Sequence, residues 1–183
     1  MILNSRANSF FFVFPKGFFP PDVESKYFAY IKGQSFPYDT LTQFMNSTIQ
    51  SISFPSLQID NVTQTRPLGK TITYQSATPV QNFFSQGVQV TFRMGEGFIN
   101  YFVMMETILA HLNFKNPALF VENLPLRIMD NQGNIITSII FKGMTIASLS
   151  ELTLNYTQNA PAATSFSVGF NYNYISIDLE MAR

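Results

Sequence analysis

The chain has 183 residues, no cysteine and a formal net charge of zero, and only 12% of its residues are charged. The lack of cysteine excludes disulfides, thiolate metal sites and a cysteine nucleophile, and the length favours a single domain spanning 1–183. The charged share is about half of the roughly 25% that is typical of soluble proteins, whereas Phe and Tyr are abundant. Because covered surfaces are poor in Lys, Glu and Asp and rich in aromatic residues, we expect partners to cover much of this surface.

The first 40 residues show little regular patterning. A short apolar run at 10–14 ends at Pro15 and predicts a buried strand. Residues 15–40 are rich in proline and aromatic residues without a helical or strand period, so we interpret 1–40 as an irregular, packed N-terminal segment. The run at 10–14 is too short for a signal peptide, and no stretch has the roughly 18 apolar residues of a membrane span. We therefore expect a subunit that is made inside the cell and is soluble until it assembles.

A strand and a long polar segment follow. Residues 43–54 are rich in β-forming residues and stop at Pro55, which predicts a strand. Residues 56–87 are rich in Thr and Gln, with a second β-like piece at 71–74. A long segment of this kind is usually functional or ordered by a partner. We expect a projecting hairpin whose tip makes contacts in an assembly, through Arg66, Pro67, Leu68, Gly69 and Lys70.

A strand at 88–94 leads into a predicted helix at about 96–112. Apolar residues recur at helical spacing, which predicts one face packed on a sheet; the members of this stripe are Phe98, Tyr101, Phe102, Met105, Ile108, Leu109 and Leu112. We place Phe102 and Met105 at its centre. Ile99, Val103 and Met104 widen the apolar surface beyond this face. The excess indicates burial against a neighbouring subunit as well as against the chain's own sheet.

The rest of the chain predicts a hairpin and a long final strand. The turn at 130–134 contains residues that tolerate positive φ, and β-branched residues on both faces at 135–140 indicate a strand buried on two sides. In the strand at about 164–179, the apolar parity changes near Tyr174, which indicates a bulge or a change of partner. The fold class is therefore mainly β (α+β): an antiparallel sandwich or barrel-forming sheet with one amphipathic helix packed on it.

Catalytic chemistry is not indicated by any motif. Gly69, Lys70 and Thr71 suggest a phosphate loop, but position 64 is Gln64 rather than glycine, and a strand rather than a helix follows. His111 is the only histidine, which excludes a histidine metal cluster, and we interpret it as structural or surface-exposed. The acidic residues are scattered and form no acid/base frame. We expect no catalytic residue, no metal and no cofactor.

Several segments together resemble the tail tube proteins of contractile-tailed bacteriophages, the T4 tail-tube-like family, over roughly residues 40–180. They are Ser-Phe-Pro at 53–55, Gln-Val-Thr-Phe-Arg at 89–93, the strand and turn at 126–134, the strand at 140–149 and the closing strand at 165–174. The resemblance implies that six subunits form a ring, that each contributes strands to one continuous barrel, and that the long hairpin contacts the next stacked ring.

The resemblance further implies partners and a location. The homo-oligomer would lie inside a tail sheath and above a baseplate, in the tail of a virion assembled in the bacterial host cytoplasm. Genome DNA would pass through the lumen without sequence-specific binding. The neutral charge agrees with a smooth channel, because each Lys or Arg on a phosphate adds affinity.

Three alternatives stay open. A baseplate tube-initiator or adaptor ring, or the tube of a phage-like contractile injection machine, would share the fold. A small-ligand-binding β-barrel belongs to another class; it predicts an enclosed pocket and a more charged exterior, and the low charge count disfavours it. An enzyme is the weakest alternative, because the acid/base set is missing.

Overall fold

The computed structural model describes residues 9–33, 38–54, 61–65, 67, 69–75, 87–112, 121–152, 154 and 164–180. Within these ranges the helices are α1 (Pro21–Lys32), α2 (Leu41–Ser47) and α3 (Ile99–Leu112), and a 3-10 turn at Glu96–Phe98 precedes α3. The strands are β1 (Phe10–Phe12), β2 (Ile49–Ser53), β3 (Asn61–Thr65), β4 (Thr71–Gln75), β5 (Val88–Arg93), β6 (Val121–Met129), β7 (Ile135–Leu149), β8 (Ser165–Asn171) and β9 (Tyr174–Leu179).

Seven strands form one antiparallel sheet in the order β1-β6-β7-β8-β5-β2, and β9 pairs with β7. Strands β3 and β4 form a separate two-stranded sheet. The helices pack on one face of the large sheet, which confirms the mainly β class with a helix on the sheet. The predicted strand at 88–94, helix at 96–112 and hairpin at 124–141 are all present as β5, α3 and β6–β7.

The long strand β7 organises the sheet. Its first half lies between β6 and β9, and its second half pairs with β8. Strands β8 and β9 run in line along β7, because Asn171 pairs with Thr145 and Tyr174 pairs with Lys142. The predicted long strand at 164–179 is therefore confirmed, with its predicted irregularity just before Tyr174.

Alternation between apolar and polar residues builds the core. In β5 the residues Val88, Val90 and Phe92 are buried, and their neighbours are not. Each of the three pairs across to a buried residue of β8, namely Phe170, Val168 and Phe166. An aromatic layer from the N-terminal segment joins them, since the Phe14 ring stacks on Phe18 at 4.5 Å. Phe14 also lies parallel to Phe92, with 6.1 Å between the ring centroids.

The prediction that residues 15–40 are irregular is wrong, because they contain α1. Pro21 occupies the first turn of α1, where its missing N–H would have no helical partner, and Asp22 and Glu24 suit the positive N-terminal end. Val23, Tyr27 and Ile31 recur every four residues and are buried. The short predicted strand before it is present as β1.

The predicted strand at 43–54 is half correct, because α2 occupies its first part and β2 its second. Thr40 caps α2 by accepting a hydrogen bond from the Gln43 backbone N–H at 3.2 Å. Gln43 Oε1 in turn accepts from the Asp39 backbone N–H at 3.0 Å. None of the described helices is long and apolar enough to cross a membrane.

Candidate functional site: the assembly surfaces

The hairpin β3–β4 is the segment in which the sequence places the contact between rings. Its backbone pairs from Asn61 opposite Gln75 to Thr65 opposite Thr71, so β3 and β4 form a regular antiparallel pair. Pro67, Gly69 and Lys70 are exposed. Arg66 and Leu68, the other two predicted contact residues, lie outside the described residues. The Gly-Lys-Thr sequence runs directly into β4, so a phosphate loop is absent at this point.

The hairpin has a surface suited to a partner. Side chains on both of its faces are exposed, namely Thr63, Gln64, Thr65, Thr71, Ile72 and Thr73. An isolated two-stranded hairpin is marginally stable in water, because it buries too little apolar surface. The exposed Ile72, at 41% of its area, would gain from being covered. A contact with another surface would therefore stabilise the hairpin, because the hairpin buries little apolar area within its own two-stranded sheet.

Only part of the apolar stripe predicted for α3 faces the sheet, since Tyr101 and Ile108 pack against the core. The side chains buried on α3 are Asn100, Val103, Met104 and Thr107. Phe102, Leu109 and Leu112 are instead exposed at 36%, 48% and 61%, so their assignment to the core is wrong. The remaining members Phe98, Tyr101, Met105 and Ile108 are half-buried. The helix is apolar on nearly every side, and a helical period alone does not decide which side faces the sheet.

We name Phe102, Met105, Leu109 and Leu112 the outer stripe of α3. The four residues follow one another at spacings of three and four, so their side chains form a continuous line along the helix. An apolar line of this kind on the solvent side of a helix is typical of an interaction surface.

Asn100 fixes how α3 is joined to the sheet. Its side chain is fully buried. Its Oδ1 accepts a hydrogen bond from the Gly95 backbone N–H at 3.0 Å, and its Nδ2 donates to the Arg93 carbonyl at 2.6 Å. The amide thus closes the connection between β5 and α3. Asn100 does not belong to the predicted apolar stripe, so the helical period gives no sign of its burial.

The core face of the sheet loses its cover toward the turn of the β6–β7 hairpin. The rung formed by Leu124, Phe141 and Ile175 is buried or nearly so. In the next rung Leu126 is buried and Ile139 half-buried, but Ile177 is 65% exposed. In the last rung Leu179 is 70% exposed.

We name Ile128, Ile139, Ile177 and Leu179 the strand-end patch. These side chains share the face of the sheet that elsewhere carries the core. The outer edge of β9 carries no pairing with any described strand. The patch is therefore an apolar surface that continues the core face of the sheet and lies next to the unpaired edge of β9.

The opposite face of the same strands carries most of their polar side chains, together with the apolar residues Phe11, Pro125 and Ile140. Asn123 lies beside Lys142, and Arg127 lies beside Ser138, which in turn lies beside Asp178. Ser138 Oγ donates to Glu180 Oε1, and Lys142 Nζ lies 5.9 Å from the centre of the Tyr174 ring. We name this side the polar face of the sheet. Two cations, Arg127 and Lys142, and two carboxylates, Asp178 and Glu180, lie on this face, and none of them belongs to an ion pair among the described residues.

His111 lies in a half-open cleft of about 330 Å³, lined also by Lys16, Phe18 and Glu122. Burial lowers the pKa of His111, and a backbone hydrogen bond with Phe18 opposes this in part. Loss of solvent thus disfavours the charged form of this imidazole. Among the described residues no three of His, Asp and Glu gather in a way that could hold a metal ion.

Comparison with known proteins finds similarity in structure only. No protein-family model matches the chain, and neither does any curated protein. The chain is similar to one in the tube-terminating cap of the anti-feeding prophage, with a TM-score of 0.46 and 10% identity over 72% of this chain and 80% of that one. It is also similar to a chain of the PVC sheath–tube complex of an extracellular contractile injection system in its extended state, with a TM-score of 0.45 and 9% identity over 72% and 81%.

A third similar structure is Hcp1 from Flavobacterium johnsoniae, with a TM-score of 0.34 and 12% identity over 72% of this chain and 86% of that one.

Proposed function

We propose that the chain is a structural subunit of the tube of a contractile tail, in which six copies close into a ring and the rings stack into a conduit for genome DNA. The observation that carries this proposal is the strand-end patch. Core-type side chains there continue, uncovered, to the open edge of β9. A surface of this kind is suited to a neighbouring copy that continues the sheet and its core.

Sheet edges support the closure into a ring. Strands β1 and β2 are the two edge strands of the large sheet. Among the described strands, β9 pairs only with β7, so its other edge is also open. Open edges readily pair with other chains unless they are blocked or covered. A ring in which each copy covers the edges of its neighbours removes all of them at once, as a closed barrel does.

The polar face of the sheet is our candidate for the wall of the channel. It lies opposite the core, and it carries as many carboxylates as cations, namely Asp178 and Glu180 with Arg127 and Lys142. A wall with few unbalanced cations forms few lasting contacts with phosphates, so DNA passes without being held. The helices then lie on the outside of the ring, where the tail sheath and baseplate proteins would contact them. The subunit would be assembled in the host cytoplasm and would remain in the virion tail.

Stacking of rings is the role we propose for the tip of the β3–β4 hairpin, at Arg66, Pro67, Leu68, Gly69 and Lys70. The exposure of both hairpin faces supports this role. A baseplate initiator or adaptor ring, or the tube of a phage-like injection machine, would use the same surfaces. Copy number per particle separates these possibilities from a tail tube, because a tube contains many rings and an adaptor only one.

Electron microscopy of the purified protein, together with its mass in solution, tests the proposal. We expect rings with six-fold symmetry, and tubes at high protein concentration. Because the assembly is held mainly by apolar contacts and strand pairing, rings should persist over a wide range of salt concentrations. A chain that stays monomeric at high concentration and at every salt concentration would contradict the proposal and favour the small-ligand-binding alternative.

A further inference from the structure

We propose that the outer stripe of α3 in one copy packs on the strand-end patch of the next copy, so that each subunit supplies a helix to cover the sheet of its neighbour. The inference rests on the proposed assembly and specifies its main contact. It commits to a second copy of this chain as the occupant of the patch.

The two surfaces lie at separate places on the subunit. The C-terminal end of α3 lines a small cleft beside Met144 and Ile146 of β7, through Ile108 and Leu112. The strand-end patch begins beyond the buried Phe141, at Ile139, and extends toward the hairpin turn. The helix of a subunit therefore covers one part of β7 and leaves the other part uncovered.

The chemistry of the two surfaces matches a packing that the subunit already contains. The inner side of α3 packs on this same face of the sheet, because Val103 and Met104 belong to one buried cluster with Phe92 and Phe166. The strand-end patch continues that face, with exposed Ile177 and Leu179 in place of buried residues. The outer stripe, made of Phe, Met and Leu, can pack on the strand-end patch in the way that the inner side of α3 packs on the core.

A few exposed apolar side chains on each surface are enough for the centre of an interface. A stable interface covers about 800 Å² per partner, with a small apolar centre and a polar rim. Three exposed side chains of the stripe and two of the patch would form that centre, and most of the binding energy of an interface comes from such a few residues. Nearby polar residues and the open edge of β9 would supply the rim.

Contact between two unlike surfaces has a geometric consequence. A helix stripe that binds a sheet patch leaves one free stripe and one free patch in every dimer. Such a head-to-tail contact closes into a ring when its rotation allows. A stripe that bound another stripe would stop at a dimer instead.

Cysteine cross-linking tests the inference directly, because the natural chain contains no cysteine. Leu109→Cys and Leu112→Cys place a thiol on the stripe, and Ile177→Cys and Leu179→Cys place one on the patch. All four residues are exposed in the single chain, so the variants should fold. Under oxidising conditions at least one stripe variant mixed with a patch variant should form a covalent dimer. Neither member of that pair should form one alone, and Ala29→Cys, at an exposed position of α1, should form none with a patch variant.

A charge swap gives a second, independent readout. Leu109→Lys alone and Ile177→Glu alone should each abolish rings without changing the melting temperature of the monomer. The double variant should recover rings, because the two introduced charges attract each other across the contact. Rings that form without any stripe-to-patch cross-link, or covalent dimers between stripes alone, would overturn this inference and leave the proposed function intact. A protein that forms no rings at all would overturn both.

Discussion

Gly143 of β7 lies directly against Asn173, the residue between β8 and β9. The Asn173 backbone N–H donates to the Lys142 carbonyl at 3.1 Å. Gly143 has a φ of +63°, and a Cβ atom at this position would lie 2.7 Å from Asn173 Nδ2. The two strands thus deviate from regular geometry side by side. As a result Phe141 and Met144, three residues apart, are both fully buried.

We expect Gly143→Ala to destabilise the fold. A left-handed conformation costs an L-residue about 1–2 kcal/mol, and the contact with Asn173 adds to this cost. Gly133→Ala is the matched control, because Gly133 has a φ of +88° but no atom within 4 Å of its Cβ position. Urea denaturation of both variants measures the difference. Equal destabilisation would mean that the contact with Asn173 contributes nothing.

The sequence predicts the strands well where one face is buried. In β5 and β8 the side chains alternate strictly, and both strands are where the alternation places them. The parity change near Tyr174 likewise predicts the irregularity beside Gly143, because adding a residue is the only way to keep one face apolar across a change of parity. The strand-end patch could not be predicted, since its residues have the same alternation as the covered core.

The packed side of α3 could not be predicted from periodicity, because apolar residues surround most of the helix. The buried Asn100 and Thr107 decide the outcome, and both satisfy their polar groups locally; Thr107 Oγ1 donates to the Val103 carbonyl at 2.8 Å. Local hydrogen bonds of this kind let polar residues occupy a core position. A stripe chosen for hydrophobicity alone therefore includes residues on the exposed side of α3.

Met104→Ala should therefore reduce the stability of the monomer more than Phe102→Ala does, whereas Phe102→Ala should reduce ring formation more. In the monomer, Met104→Ala should lower the free energy of unfolding by about 2–5 kcal/mol, as truncation of a buried Met does. Phe102→Ala should lower it less, by about 1–2 kcal/mol, because part of the side chain is already exposed. Denaturation of the monomer and ring formation are measured for both. A larger loss of monomer stability from Phe102→Ala would contradict the observed orientation of α3.

Asn100→Leu should destabilise the junction between β5 and α3. The substitution leaves the Gly95 N–H and the Arg93 carbonyl without their partner, and each such group costs about 1–3 kcal/mol when it stays buried. Thr107→Val is the control, since it removes a buried hydroxyl whose bond is internal to the helix. Thermal melts of the two variants compare the effects. If Thr107→Val proved as harmful as Asn100→Leu, the role of Asn100 in the junction would be refuted.

Helices α1 and α2 were missed although each has a sequence signal at its start. Two prolines followed by Asp22 and Glu24 are typical of a helix N-terminus. The spacing of Thr40 and Gln43 is that of a capping box; the structure forms its first bond, and the Gln43 side chain accepts from the Asp39 N–H instead of the Thr40 N–H. The aromatic residues around both segments obscured these signals. Some of the buried ones lie in irregular chain and others in helices, yet all of these pack into the same core, so they follow no single period.

Stability should decrease as pH falls through the pKa of His111. Burial lowers this pKa from its ordinary value of 6.5, so the unfolded chain binds a proton more readily than the folded one. The stabilising contribution is complete above pH 6.5 and is lost as pH falls through the lower, folded-state value. Melting temperatures from about pH 5 to about pH 8 should show this decrease for the natural chain and a flatter profile for His111→Gln. Identical profiles would show that the burial of His111 does not contribute to the pH dependence.

Shortening the β3–β4 hairpin should separate stacking from ring closure. The hairpin forms its own two-stranded sheet, so removing about ten residues around 66–70 should leave the seven-stranded sheet and its melting temperature unchanged. If the tip joins successive rings, the shortened chain should form single rings but no tubes in electron micrographs. Replacing Thr63 and Thr73, a cross-strand pair of the hairpin, with Ser keeps its length and serves as the control that should still form tubes. Long tubes from the shortened chain would exclude the hairpin from stacking.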